Sequence, residues 1–146
     1  MNDRDTPRLV PALERATHAV ALWIDRRFAD LRLTQAEAHV LAYLAQHAPC
    51  SINELHRGFG HKRSTLTSVL DRLEARDWLR RAAHPTSRRL VLVQLTASGR
   101  AVAEQVSGAL HGVEERVLAR DGADVAAFLR VMRRLEEELS HEPADR

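Results

Sequence analysis

The sequence predicts a mainly α fold with a small β wing, in which a compact basic middle lies between long amphipathic helices. Over most of the chain, apolar residues recur every three or four positions, which is the period of a helix that faces a core. Two short runs at residues 78–83 and 89–95 are typical of strands instead, and the Pro-containing segment 84–88 joins them. Only 4% of the residues are aromatic against 45% hydrophobic, so Leu, Val and Ala must fill the core, which suits helices.

Length and composition indicate a single-domain protein without disulfides or membrane-spanning segments. The 146 residues are expected to form one domain, residues 1–146. A single cysteine, Cys50, excludes an internal disulfide framework and fits a reducing compartment. No stretch approaches ~18 apolar residues and the N-terminus lacks the apolar core of a signal peptide, so we expect a cytoplasmic protein without a membrane partner.

The first helix is expected at residues 8–31, after a polar tail at residues 1–7. Its apolar stripe consists of Leu9, Leu13, Ala16, Val20, Ile24 and Phe28. Leu22 and Trp23 widen this stripe beyond what a neighbouring helix could cover.

Two capping boxes, at residues 34–37 and 51–54, mark the starts of the next two helices. Each has Ser or Thr followed three residues later by Glu, so that the two side chains satisfy each other's backbone donors. The second of these helices is short and ends at Gly60, and another amphipathic helix is expected at residues 62–75. Two short helices joined by a tight Gly-containing turn indicate a helix-turn-helix.

Positive charge is concentrated on this middle segment. Residues 57–89 contain nine Lys or Arg and three Asp or Glu, a net of +6, whereas the whole chain carries only +2. The rest of the chain therefore carries about −4. A basic helix with a basic wing favours a polyanionic partner, and double-stranded DNA is the working hypothesis.

The C-terminal part predicts two further helices separated by a turn at residues 121–124. Their apolar stripes are Val102, Val106, Leu110, Val113 and Val117 in the first, and Phe128, Met132, Leu135 and Leu139 in the second. The terminal helices expose more apolar surface than one small domain could cover. A symmetric homodimer formed by these helices is the simplest way to bury it.

The stretch from Leu33 to Arg100 resembles the MarR family of bacterial winged helix-turn-helix regulators. The resemblance is carried by Leu33-Thr34-x-x-Glu37, Ile52-x-x-Leu55, Ser64-Thr65-Leu66-Thr67-x-x-Leu70-Asp71-Arg72-Leu73-Glu74, Trp78-Leu79-x-Arg81 and Arg89-x-x-x-Val93-x-Leu95-Thr96-x-x-Gly99-Arg100. It implies a winged helix-turn-helix at residues 32–96 and dimerisation helices at residues 8–31 and 97–140. It also implies a transcriptional repressor that binds a palindromic operator as a homodimer and is released by a small aromatic or phenolic ligand.

The predicted DNA contacts come from the helix at residues 62–75 and from the wing. They are Lys62, Arg63, Ser64, Thr65, Thr67, Ser68, Arg72, Arg88 and Arg89. Side chains of the first turns reach base edges when such a helix enters a major groove. Arg89 matches the family's wing arginine and is the first choice for a minor-groove contact. Arg80 and Arg81 are less certain DNA contacts. For Arg81, a structural ion pair with Glu74 or Asp71 is the competing interpretation.

The chain departs from the family pattern at two positions of the wing and at one position that ends the recognition helix. Ser87 stands where the family usually has Asp two residues before the wing arginine, and His84 replaces an earlier Asp. In the family that carboxylate is thought to orient the arginine, so the wing is expected to be looser or more basic here. Asp77 replaces a Gly, which is a mild change because Asp tolerates the left-handed conformation of a helix end.

The resemblance places an effector crevice between the dimerisation helices and the winged domain. The polar or aromatic candidates are His18, Trp23, Arg26, His39, Tyr43 and His111, and for each of them ordinary packing or surface exposure is the competing interpretation.

Cys50 lies in a loop without a second cysteine, so an inert thiol is favoured over a redox sensor. The eight histidines show no zinc spacing, and neither a metal nor another cofactor is expected.

Two other classes of function compete with a DNA-binding regulator. An enzyme would need a nucleophile and base, a metal cluster or a Gly-rich phosphate loop, and none occurs at diagnostic spacing, so no catalytic residue is expected. A winged-helix module for protein contacts without specific DNA binding is the closer alternative. The operator, the effector and the choice between repression and activation stay open.

Overall fold

The computed structural model describes residues 8–60 and 62–141, so the predicted polar tail at residues 1–7 lies outside the described residues. The elements are α1 (Leu9–Arg27), a 3-10 turn (Ala29–Leu31), α2 (Gln35–His47), β1 (Cys50–Ser51), α3 (Ile52–Phe59), α4 (Arg63–Ala75), β2 (Leu79–His84), β3 (Ser87–Leu95) and α5 (Ala97–His141). The predicted mainly α fold with a small β wing is confirmed.

The first helix is shorter than predicted. α1 ends at Arg27, and the chain tightens into a 3-10 turn before Arg32 adopts a left-handed conformation with φ of 47°. Tightening of this kind is a common way for the last carbonyls of a helix to find donors. Only Ile24 and Phe28, at the C-terminal end of the predicted stripe, are buried.

Both capping boxes form as predicted. The Thr34 backbone N–H donates to Glu37 Oε2 at 2.9 Å, and the Glu37 backbone N–H donates to Thr34 Oγ1 at 3.2 Å. Ser51 and Glu54 make the same pair of contacts at 2.7 and 3.2 Å. α3 then ends at Gly60, whose φ of +65° is the left-handed conformation that glycine adopts without strain.

The wing belongs to a three-stranded antiparallel sheet with the order β1–β3–β2. β1 was not predicted, because two residues are too few to show alternation. Cys50 pairs with Val93 and Ser51 with Leu92, so the first strand anchors the base of the wing to the start of α3. The loop predicted for Cys50 is therefore wrong, since this residue lies buried in a strand.

The chain divides into two compact units between Ser107 and Gly108, and the core lies within the first of them. Its fully buried large side chains come from every helix of this unit and from two strands, and they are Ile24, Val40, Leu41, Leu44, Leu55, Leu66, Val69, Leu70, Leu73, Leu79, Val93 and Val106. The core is almost entirely aliphatic, as the low aromatic content predicts.

The second unit consists of the rest of α5 as far as the described residues reach. The sequence predicted two helices with a turn at residues 121–124, and the structure has two helical segments that join at Asp121, where φ is −126° and ψ is 21°. The break between the helices lies where it was predicted, but it is a kink at one residue rather than a turn of four. Among the described residues, no helix is both long and apolar enough to cross a membrane.

Candidate nucleic-acid interface

The two faces of α4 differ sharply in burial. Leu66, Val69, Leu70 and Leu73 are at most 2% exposed and hold the helix on the core. The opposite face carries Ser64, Thr65, Thr67 and Ser68, all of which are exposed. Because the apolar face is fixed, the hydroxyl-bearing face can only point into solvent or toward a partner.

The N-terminal end of α4 is basic and lacks a side-chain cap. Lys62 occupies the cap position without a side-chain hydrogen bond to the first turn, and it is exposed. The Arg63 guanidinium lies 3.4 Å from Asn53 Oδ1 on α3. Backbone N–H groups that a helix start leaves without partners, together with the positive end of the helix dipole, favour an anion.

Two hydroxyls of the exposed face already donate to the helix backbone. Thr67 Oγ1 donates to the Arg63 carbonyl at 2.9 Å, and Ser68 Oγ donates to the Ser64 carbonyl at 3.0 Å. A hydroxyl has a single proton, so each of these oxygens is left with lone pairs only.

Arg72 is tied to the helix-turn-helix framework. Its Nε donates to Glu37 Oε1 at 2.7 Å, and the Glu37 side chain is 4% exposed against 51% for Arg72. Burial acts to raise the pKa of Glu37, but hydrogen bonds from Thr34 and Arg72 outweigh it and hold the pKa below its usual value. Glu37 therefore caps α2 and fixes α4 at the same time, a second role that the sequence did not indicate.

Arg81 forms the ion pair considered as its alternative. Its guanidinium contacts both Asp71 and Glu74 on α4, and its backbone N–H donates to Glu74 Oε1 at 3.0 Å. Hydrogen bonds from Arg81 lower the pKa of Glu74, and those to Asp71 and Glu74 raise the pKa of Arg81. β2 is thereby joined to α4 through two carboxylates that would otherwise repel an anionic partner.

Arg76 has a structural role that the sequence did not reveal. Its Nη2 donates to the Leu31 carbonyl at 2.6 Å, and its guanidinium lies 3.6 Å from the ring centroid of Trp78. An arginine two positions before a tryptophan is only a weak signal for such stacking. Arg80 on β2 lies 3.5 Å from Asp77 in an exposed pair.

The wing turns at Pro85 and Thr86, a shorter loop than the five residues predicted. The Thr86 backbone N–H donates to His84 Nδ1 at 3.2 Å, so the imidazole supplies a turn acceptor where the family pattern has a carboxylate. The strand register also shifts here. Ala83 pairs with Val91 while His84 pairs with Ser87, which displaces residues 88–90 from the regular ladder.

Arg89 lies in this displaced part of β3 and is exposed. The salt bridges among the described residues do not include it. Arg88 precedes it on the same strand, but its side chain lies outside the part of the structure that is described. The wing thus presents at least one arginine without a carboxylate partner in the described structure.

One of the predicted effector residues, His18, lines a groove that the structure describes. His18 lines an open groove of about 380 Å³ between α1 and the start of α2, together with Leu13, Glu14, Thr17, Ala21 and Gln35. Trp23 instead packs edge-on against Phe28, at 6.1 Å between ring centroids. Arg26 is exposed in the last turn of α1.

The other three candidates are engaged in local contacts. His39 and Phe59 meet edge-on at 6.3 Å, and Tyr43 stacks on His47 at 4.2 Å. His111 belongs to the second unit, where it lies 3.7 Å from Glu114 and 3.3 Å from Glu115. Groove residues such as Thr17 and Gln35 carried no signal in the sequence, because polar residues at these positions equally suit a solvated helix face.

Cys50 is only 5% exposed. The pKa of its thiol is raised, mainly because the thiol is buried and to a smaller extent because the negative charge of Glu54 lies nearby. Within residues 8–60 and 62–141, no three His, Cys, Asp or Glu side chains gather closely enough to hold a metal ion.

Comparison with known proteins gives consistent relatives. Residues 33–91 match the family model described as "MarR family". The HTH-type transcriptional regulator PecS of Dickeya dadantii is 35% identical over 112 residues, which cover 75% of this chain and 64% of PecS. The HTH-type transcriptional repressor NicR of Pseudomonas putida is 27% identical, over 73% of this chain and 68% of NicR. The chain therefore spans about two thirds of the length of these relatives.

A solved structure agrees with the sequence relatives. It is a structure of BpsR from Bordetella bronchiseptica, described with the words "Mechanism for regulation of DNA binding of Bordetella bronchiseptica BpsR by 6-hydroxynicotinic acid". It matches this chain with a TM-score of 0.72 and 25% identity. The match covers 93% of this chain and 96% of that one. Sequence and fold thus agree that the chain belongs to the MarR family.

Proposed function

We propose that this protein is a sequence-specific DNA-binding transcriptional repressor that acts as a homodimer on a palindromic operator. One observation carries the proposal. The first unit exposes the hydroxyl face of α4 together with three cations that have no carboxylate partner among the described residues, namely Lys62 and Arg63 at the start of that helix and Arg89 on the wing. Two carboxylates of α4, Asp71 and Glu74, are paired with Arg81.

The charge arrangement fits two kinds of DNA contact. Lys62 and the first-turn amides of α4 suit a phosphate, which supplies affinity without sequence preference. Arg89 suits a minor groove, where a flat cation meets enhanced negative potential. The relatives PecS and NicR are described as an HTH-type transcriptional regulator and repressor, which supports this function.

The DNA-binding proposal is tested by selecting bound duplexes from a random pool with the full chain. We expect a palindrome whose half-sites lie about one helical turn apart. Arg89→Ala should then lower operator affinity about 10-fold, whereas Arg80→Ala, which removes an equal charge already paired with Asp77, should change it less than 2-fold. Lys62→Ala should weaken all sequences about equally and reduce the salt slope by about 1.

Two results would contradict this function. If no sequence is enriched, the chain is a winged-helix module for protein contacts rather than a specific DNA binder. If Arg89→Ala and Arg80→Ala weaken binding equally, net charge rather than the wing geometry determines affinity.

The homodimer is supported by apolar side chains left exposed on the terminal helices. Phe128 is 52% and Leu139 63% exposed in the second unit, and Leu22 of α1 is 42% exposed. Exposure of large side chains along a helix face favours a protein partner. Leu129 of the second unit is 51% exposed, and Leu129→Asp should shift sedimentation from dimer to monomer. Glu136→Asp, a conservative change at an exposed position of the same helix, should not.

We further propose that the groove around His18 binds a small aromatic or phenolic effector that lowers DNA affinity. The groove volume of about 380 Å³ suits a single aromatic ring with polar substituents. The compound 6-hydroxynicotinic acid, which regulates DNA binding of BpsR, is one such molecule and is a suitable first probe. Calorimetric titration should show binding that His18→Ala weakens and His56→Ala, outside the groove, does not.

A further inference from the structure

We propose that α4 reads operator bases through hydrogen-bond acceptors, and so selects the amino groups of adenine and cytosine rather than the acceptors of guanine. The residues concerned are Thr67, Ser68 and Asp71, which we name the acceptor ridge. This inference rests on the proposed DNA-binding function and specifies the chemistry by which the operator is recognised.

The first step concerns the hydroxyl protons. Thr67 Oγ1 donates to the Arg63 carbonyl at 2.9 Å, and Ser68 Oγ donates to the Ser64 carbonyl at 3.0 Å. Both residues are exposed, so the remaining lone pairs of these oxygens are open to a partner. A free hydroxyl could serve as donor or acceptor toward a base, but one that already donates to its own helix offers acceptance alone.

The third member of the ridge is an acceptor by its chemistry. Asp71 follows Thr67 by four positions and Ser68 by three, so the three side chains share one face of the helix. An ionised carboxylate has no proton to donate. Its side chain stays 58% exposed although Arg81 contacts Oδ1. That contact supplies a positive charge beside the carboxylate, which lowers the repulsion that an uncovered Asp71 would exert on DNA phosphates.

The donors of α4 lie outside the ridge, nearer the start of the helix or in Arg72, and they include the exposed hydroxyls of Ser64 and Thr65 in the first turn. Arg72 Nε is held by Glu37 at 2.7 Å, and Lys62 and Arg63 stand at the helix start, where phosphates are the favoured partners. The ridge itself contains no Arg, Asn or Gln, the residues that read guanine or adenine with two hydrogen bonds.

The base edges complementary to such a ridge follow from the groove chemistry. In the major groove, adenine N6 and cytosine N4 are the donors, whereas guanine presents N7 and O6 as acceptors. The Thr67 methyl group adds an apolar contact that suits the thymine methyl. An acceptor ridge therefore favours A·T or C-containing steps at the positions that it faces and gains nothing from guanine N7.

Base analogues within the selected operator test this chemistry directly. Replacing adenine by purine or cytosine by 2-pyrimidinone deletes one amino group, and replacing guanine by 7-deazaguanine deletes the N7 acceptor. At one or two positions of each half-site, amino deletion should lower the affinity of the full chain about 3- to 10-fold. Ser68→Ala or Thr67→Val should abolish that sensitivity at the position concerned.

Ser140→Ala is the matched control, because Ser140 also donates to the carbonyl four residues earlier, at 2.7 Å, but near the end of α5. It should leave every analogue effect unchanged. The proposal is overturned if Thr67→Val and Ser68→Ala alter no analogue effect, or if they remove sensitivity to 7-deazaguanine instead. A pool that yields no enriched sequence would refute the proposed function itself, so the two failures are distinguishable.

Discussion

Replacing Gly99 by Ala should destabilise the protein severely, because this glycine lets α5 approach the turn between α4 and β2. A Cβ atom at Gly99 would lie 1.6 Å from the Trp78 carbonyl oxygen, whereas real Cβ contacts essentially never fall below 3.0 Å. Backbone on one side would therefore have to move by about 1.4 Å. Such a clash cannot be relieved by rotating a side chain, since the opposing atom belongs to the main chain.

The structure gives the magnitude of this effect. The Trp78 carbonyl accepts the Thr96 backbone N–H at 3.1 Å, and the Asp77 carbonyl accepts Thr96 Oγ1 at 2.6 Å and Ser98 Oγ at 3.0 Å. Separating α5 from this turn weakens all three hydrogen bonds, each of which contributes about 1 kcal/mol net. Overpacking itself costs about 1–3 kcal/mol. We therefore expect Gly99→Ala to lower the free energy of unfolding by about 3 kcal/mol or more.

Gly108→Ala is the matched control within the same helix. No atom lies within 4 Å of a Cβ built at Gly108, so alanine there should raise the free energy of unfolding by about 0.5–1 kcal/mol through helix propensity. Urea denaturation followed by circular dichroism measures both changes, and a loss of ~3 kcal/mol should lower Tm by roughly 10 °C. A Gly99→Ala protein within 1 kcal/mol of wild type would refute the close approach.

Three further substitutions or reactions test other contacts. Glu37→Gln should cost about 1–2 kcal/mol at pH 7, because it weakens the α2 cap and the Arg72 ion pair together. Because the pKa of Glu37 is lowered in the folded protein, the difference in free energy of unfolding should be fully present above the ordinary value of 4.5 and should vanish as the pH falls through the folded pKa. Free energies of unfolding that depend on pH identically in the two proteins would contradict this prediction. Asp77→Gly should stabilise by about 0.5–1 kcal/mol, because Asp77 has φ of 55°, and unchanged thermal stability would argue against strain there. Cys50 should react with iodoacetamide only after unfolding, as followed by mass spectrometry at pH 7, and rapid labelling of the native protein would show that its burial is wrong.

The sequence predicted best where a local rule determines the structure. The capping boxes at Thr34 and Ser51 need only residues within four positions, and both form. The apolar stripe of α4 was likewise complete in the sequence, because four Leu or Val residues at helical spacing admit one buried face.

Prediction failed where a distant partner determines the structure. β1 exists because Cys50 and Ser51 meet β3 some forty residues later, and two residues carry no pattern of their own. The stack of Arg76 on Trp78 and its hydrogen bond to the Leu31 carbonyl depend on a turn that only the folded chain brings near. The register shift beside His84 likewise follows from how β3 meets β2.

The net charge of the segment does not tell which of its arginines matter most for binding DNA. Arg81 adds one positive charge to the segment, but it also pairs with Asp71 and Glu74, so its removal would leave both of these carboxylates of α4 without that cation. Arg89 adds the same charge without a carboxylate partner among the described residues. Losing Arg89 therefore removes an attraction, whereas losing Arg81 also adds the repulsion of two unpaired carboxylates and removes a link between β2 and α4. The net charge of +6 indicated that this segment meets a polyanion, but only the ion pairs show that its arginines act in these two different ways.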